Sequence, residues 1–156
     1  MERRFSEEVE GVLKASGWHS SRQVPFLINE WKRDLERIDG IIMAPKAEGI
    51  LLEFGGLTID SKLPGEDFRP EAIVMIPPYD EGDRFDAWGE AIGADLYPLG
   101  EYESGNAFLA VDEKTGYIWA VANFIKLNAK SFDEAIQNLI LGRQGEGEMI
   151  FPNGDL

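Results

Sequence analysis

The sequence predicts an α+β fold of one domain, with helices at both ends of the chain around a few antiparallel strands. Three observations predict it. Apolar residues recur at helical spacing through the first third and again before Gly142. Short apolar and β-branched runs lie between them, two of them flanking "DEKTG". The 156 residues fit one domain and suffice to bury a core.

The elements follow in order. Phe5, Val9, Val12 and Leu13 line one face of a first helix. Ser6 is its N-cap, Glu7 and Glu8 sit at the positive end of its dipole, and Gly17 stops it. Ile28, Trp31, Leu35 and Ile38 repeat at helical spacing in a second helix, opened by Pro25 and ended by Asp39-Gly40. The third lies in "APKAEGILLEFGGLTI". Ala47, Ile50, Leu51 and Phe54 form its stripe, and Pro45 suits its first turn, where a missing N–H is no loss. Gly55 is expected to take the left-handed conformation that closes the helix, and Leu57-Thr58-Ile59 to follow as a short strand.

Residues 73–76 are a short apolar run, either a strand or a buried segment, and "PPYDEG" is a loop. Residues 84–92 read as a helix with Phe85, Trp88 and Ile92 on one side and Gly93 as its stop. "YPLGE" reads as a turn-bearing connection. Residues 107–111 and 117–121 are strands of a hairpin whose loop carries glycine where a positive φ is wanted. In "SFDEAIQNLILG", Ser131 and Glu134 make a capping box. Phe132, Ile136, Leu139 and Ile140 form the stripe, and Gly142 ends the helix. The domain is therefore set at residues 1–142. The acidic, Gly-rich tail, residues 143–156, is expected to be flexible.

Charge excludes several classes of function. Fifteen Lys and Arg against 29 Asp and Glu give a net charge of −14. Nucleic-acid backbones and anionic membranes call for a basic footprint, so neither is an expected partner. Solubility is the first reading of such acidity, and attraction of a basic partner the second. No apolar run approaches the roughly 20 residues of a membrane span. "MERRFSEEVEGVL" holds no apolar segment of a signal peptide. Cysteine is absent, which removes disulfides, thiolate nucleophiles and thiolate metal sites. A cytoplasmic location is the expectation.

The search for catalytic chemistry returns little. His19 is the single histidine, so no histidine metal cluster exists, and its place at a helix end fits a cap or a surface residue. No nucleophile elbow, P-loop or dinucleotide glycine motif occurs. Lys114-Thr115-Gly116 matches a β-lactamase triplet, but no Ser-x-x-Lys accompanies it and a hairpin turn explains it. Asp80, Glu81, Asp83 and Asp86 are dense without the alternation of a calcium loop. They read first as a solvated loop and an acidic first turn, and second as a face for a basic partner. Tyr79, Trp88, Tyr97, Tyr102 and Trp119 are the aromatics to weigh beside them, Trp88 and Trp119 being better placed in the core. No catalytic, cofactor or metal residue is assigned.

Taken in order, "SGW", "EFGGL", "FRPEA", "LYPLGE", "AVDEKTGYIW" and "SFDEAIQNLILG" resemble the third subfamily of the SUKH superfamily (Smi1/Knr4-like), from about Phe5 to Gly142. "VMIPPYDEGD" departs from that pattern in being apolar and proline-rich. The resemblance implies helices packed around a central, largely antiparallel sheet. It also implies a bacterial immunity protein of a polymorphic toxin system, one that neutralises a cognate toxin domain by binding. The toxin expected is a nuclease or deaminase with a basic surface. The resemblance carries no catalytic residue and no cofactor. Candidate partner-binding residues are Tyr79, Asp80, Glu81, Asp83 and Asp86, with Glu101, Tyr102 and Glu103. Two other classes compete: an adaptor or scaffold for an endogenous partner, and, last, a hydrolase using carboxylates alone. Oligomeric state is not legible here.

Overall fold

Helix ends in this chain form where orphan backbone groups find partners. A computed structural model describes residues 4–102, 105–145 and 147–151. In α1 (Glu7–Ala15) the Ser6 hydroxyl accepts the Val9 N–H at 3.3 Å. In α5 (Phe132–Leu141) the Ser131 hydroxyl accepts the Glu134 N–H at 3.2 Å. Proline opens both α2 (Pro25–Asp39) and α3 (Pro45–Phe54). Left-handed glycines close α2, α4 (Gly82–Ile92) and α5.

The end of α3 differs from the sequence expectation. Gly55 is not left-handed (φ −59°, ψ 141°), and Gly56 is (φ 83°). Gly55 is required for space. A Cβ there would lie 2.7 and 2.9 Å from two ring carbons of Trp31 and would run into the Leu51 carbonyl. The two glycines therefore do separate work: one lets α2 pack against the end of α3, and the other turns the chain.

The strands are β1 (Thr58–Ile59), β2 (Ile73–Val74), β3 (Leu96–Tyr102), β4 (Ala107–Asp112), β5 (Ile118–Val121) and β6 (Ile125–Ala129). They make one six-stranded sheet in the order β1-β2-β3-β4-β5-β6, every pair antiparallel. "YPLGE" lies within β3 and is not a connection. Its Pro98 is tolerated because the register with β4 shifts between Pro98 and Gly100. β6 carries no sequence expectation. Beyond α5, Ile150 bridges to Ile125 of β6 and the Gly147 N–H donates to the Leu127 carbonyl at 3.0 Å.

The sheet buries both faces. On one, α1, α2, α3 and α5 pack Leu13, Trp31, Leu35, Leu51, Phe54 and Ile136 against Tyr97, Leu99, Leu109, Val111 and Ile118. On the other, α4 alone packs Phe85 and Trp88 against Leu96, Phe108, Ala110, Val121 and Ile125. Phe54 and Phe132 lie 4.8 Å apart between ring centroids where α3 meets α5. Outside them Arg4 ties Glu53 and Asp133 together, each at 2.9 Å. At the β4–β5 turn, buried Asp112 accepts from the N–H groups of Asp95 and Lys114 and from the Thr115 hydroxyl, each at 3.0 Å. Lys114-Thr115-Gly116 is thus the hairpin turn expected of it.

Candidate functional site

The acidic cluster spans the loop before α4 (Asp80, Glu81) and the start of α4 (Asp83, Asp86), and α2 holds the loop. Asp39, the last residue of α2, accepts the Asp80 N–H at 3.0 Å and the Gly82 N–H at 3.2 Å. The position before α4, Glu81, makes no side-chain cap. Asp39 therefore caps α4 from another element and places a negative charge at its positive end. The same contacts hold Asp80 at φ 64°, a left-handed backbone uncommon outside glycine. Gly82 is buried against Asp39, whose carbonyl would lie 2.9 Å from a Cβ there.

Tyr79 stays on the surface, 39% exposed, and donates its hydroxyl to Asp34 at 2.9 Å. Partial burial and that bond raise its pKa to about 12. The same bond leads the causes that lower Asp34, helped by Arg33 and Arg37. At neutral pH the pair is a phenol donating to a carboxylate. Ile38, 40% exposed, lines a shallow groove of about 330 Å³ with Asp39, the loop residues Asp80 and Glu81, and Asp83 and Arg84 of the first turn of α4. The face is two exposed apolar side chains set among carboxylates.

The candidate residues do not form one patch. Asp80, Asp83 and Asp86 are exposed. Glu81 is half-buried and pairs with Arg84 at 3.1 Å, and Arg84 lies 4.7 Å over the Trp88 ring. Glu101 stands opposite Phe108 in the β3–β4 register, which puts it on the face covered by α4. Tyr102 stands opposite Ala107 and packs on the main core, so the sheet separates it from Glu101. Glu103 lies outside the described residues. Of the other aromatics, Tyr97 and Trp88 are buried at 1% and 6% exposure, and Trp119 is half-buried. None of these three offers a ring to a partner as Tyr79 does.

Asp34, Ile38 and Asp39 were absent from the sequence candidates. One signal pointed to Asp39. An acid in the last turn of a helix opposes the dipole there, which asks for a partner elsewhere. Among the described residues no group of three or more His, Cys, Asp or Glu is placed to hold a metal ion. Likewise, no helix is long and apolar enough to cross a membrane.

Fold and face define an acidic α+β protein built as an antiparallel meander with helices on both sides. The model of the SUKH-3 immunity protein family matches residues 5–142, and the chain belongs to that family. Its role is therefore in immunity, which implies a cognate toxin as partner. No curated protein and no solved structure matches the chain.

Proposed function

We propose that this protein neutralises its toxin by binding alone, through the face formed by the loop before α4 and the end of α2. The observation that carries this is the setting of Tyr79 and Ile38. Both are exposed and both have carboxylates beside them, the Tyr79 hydroxyl is held by Asp34, and the loop that follows it is held by Asp39 next to Ile38. Rigid aromatic and aliphatic anchors inside a charged rim are the usual make-up of a tight interface. A net charge of −14 supports a partner with a basic surface. A nuclease or a deaminase acting on nucleic acid has that surface because it holds phosphates. Occlusion asks no chemistry of the inhibitor, in keeping with the sequence, where no nucleophile or metal motif was found. An interface of the ordinary size, about 1,600 Å² in total, spans this face and the exposed side of α4. Asp80, Glu81, Asp83 and Asp86 serve as the charged rim, with Glu101 on the sheet face that α4 covers.

The test is co-expression with the C-terminal domain of the nearest large secreted-protein gene in the source genome, scoring survival and co-purification. Rescue with a stable complex supports the reading. Asp80, Asp83 and Asp86 changed together to Lys then slow association at least tenfold and flatten its salt dependence. Unchanged association kinetics remove this face from the interface. A domain that kills alone but is neither bound nor neutralised rejects the pairing and leaves the adaptor reading.

A further inference from the structure

On the sheet face away from α4 lies a second concavity of about 280 Å³, lined among others by Phe68, Arg69, Tyr102, Phe124, Lys126 and Asn128. Its walls come from distant parts of the chain and are tied together. The Phe68 N–H donates to the Gly142 carbonyl at 3.1 Å, the Gln144 N–H to Asp67 at 2.9 Å, and Arg143 to Glu66 at 2.6 Å.

Three observations point to a ligand. Asn128 is only 6% exposed, yet its side-chain oxygen has no hydrogen-bond partner. Its backbone carbonyl accepts from the Asn138 side-chain amide at 3.3 Å. A buried carboxamide left unpaired is costly, and a small turn of the Asn128 side chain toward the cavity, where water or a ligand can reach it, relieves that cost. Second, the Arg69 and Lys126 side chains make no ion pair or hydrogen bond among the described residues. That two unpaired cations share one cavity of a chain with net charge −14, with Glu71 the one acid among the described lining residues, is against the trend of the surface. Third, Phe68, Tyr102 and Phe124 supply aromatic walls. A largely apolar concavity with a few converging polar groups is the usual form of a small-molecule site.

We propose that this cavity binds a small aromatic anion. The ring lies against Phe68, Tyr102 and Phe124, and its carboxylate or phosphate meets Arg69 and Lys126. A polar edge of the ring pairs with the Asn128 carboxamide, which offers both a donor and an acceptor. The cavity shares no lining residue with the groove of the proposed toxin face.

The experiment is a titration of the full chain followed in ¹H–¹⁵N NMR spectra, with uridine 5′-monophosphate, indole-3-acetate and inorganic phosphate as probes. The expected result is saturable shifts of the Asn128 side-chain NH2 and of the Arg69 and Lys126 amides by one of the two aromatic anions. The dissociation constant is about 1 mM or tighter, with inorganic phosphate at least tenfold weaker. Whichever aromatic probe binds tells phosphate from carboxylate. Arg69→Ala and Lys126→Ala, both at solvent-reaching side chains, keep the remaining spectrum and weaken binding about tenfold each. Absence of saturation at Asn128 with both aromatic probes overturns the proposal. Equal affinity for inorganic phosphate, or unchanged binding in both variants, overturns it too.

Discussion

Gly55→Ala tests the packing that joins α2 to α3, with a magnitude set by geometry. The new Cβ lies 2.7 Å from one carbon of the Trp31 six-membered ring and 2.9 Å from the next, and it meets the Leu51 carbonyl. Trp31 is 5% exposed and locked in the core, so neither obstacle is the free end of a flexible chain. Overpacking of this kind costs about 1–3 kcal/mol, and two fixed obstacles place Gly55→Ala near 3 kcal/mol. For a chain of this length that is a fall in Tm of about 6–12 °C. Gly56→Asn is the control. At φ 83° asparagine is among the better-tolerated residues, and its Cβ meets only side-chain tips, Leu27 at 3.0 Å and Arg22 at 3.8 Å. A loss of about 1 kcal/mol is expected there. Urea unfolding followed by tryptophan fluorescence measures both. In a Trp31→Leu background the Gly55→Ala loss shrinks, because contacting residues are not additive. A loss under about 0.5 kcal/mol for Gly55→Ala, or Gly55→Asn no worse than Gly56→Asn, refutes the packing argument.

Three further outcomes follow from the same geometry. Asp39→Ala removes the cap of α4 and costs about 1–2 kcal/mol, seen in urea unfolding, while Asp39→Asn recovers part of it. Asp112→Ala removes the acceptor of two donors at the β4–β5 turn and of the Asp95 N–H before β3 and costs about 3 kcal/mol, with amide exchange rising first at Asp95 and Lys114. Glu113 accepts the Ala47 N–H at 3.2 Å, yet burial raises its pKa above the usual 4.5. The native state then holds a proton that the unfolded chain has already released, so wild-type stability falls as pH rises from about 4.5 through the raised value. Glu113→Gln keeps an acceptor and removes that slope. The difference in Tm between the variant and the wild type is least below pH 4.5 and moves in the variant's favour as pH rises. A difference that does not vary with pH refutes the assignment.

Helices were legible because each repeats its information. The α5 stripe, its Ser131 cap and its Gly142 stop agree, and so do the corresponding parts of α1 and α2. Strands were less so. β1 and β2 are two residues long, too short for alternation to register. β3 contains Pro98 and Gly100, residues that ordinarily mark turns. It is a strand nonetheless because the bulge absorbs the proline, and Gly100 lets the backbone of Val74 approach. β6 buries Asn128 and leaves Leu127 half-buried, so polarity along "IKLNA" does not follow burial. Gly55 and Gly56 are alike as letters. Only Trp31, more than twenty positions upstream, assigns them different tasks.

The same limit explains the candidate face. Tyr79 and its acids were visible as a run, but a run of acids is a solvated loop until something fixes it. What fixes it are Asp34 and Asp39, forty positions or more away in the chain, through three hydrogen bonds. Those bonds spend two carboxylates on structure and leave Asp80, Asp83 and Asp86 to solvent. The division between structural and available charge is what composition cannot express. It follows that the two groups of acids part under mutation. Loss of Asp39 lowers stability and, by loosening the loop, slows toxin association only in part. Reversal at Asp80, Asp83 and Asp86 leaves the fold intact and acts on the association rate directly.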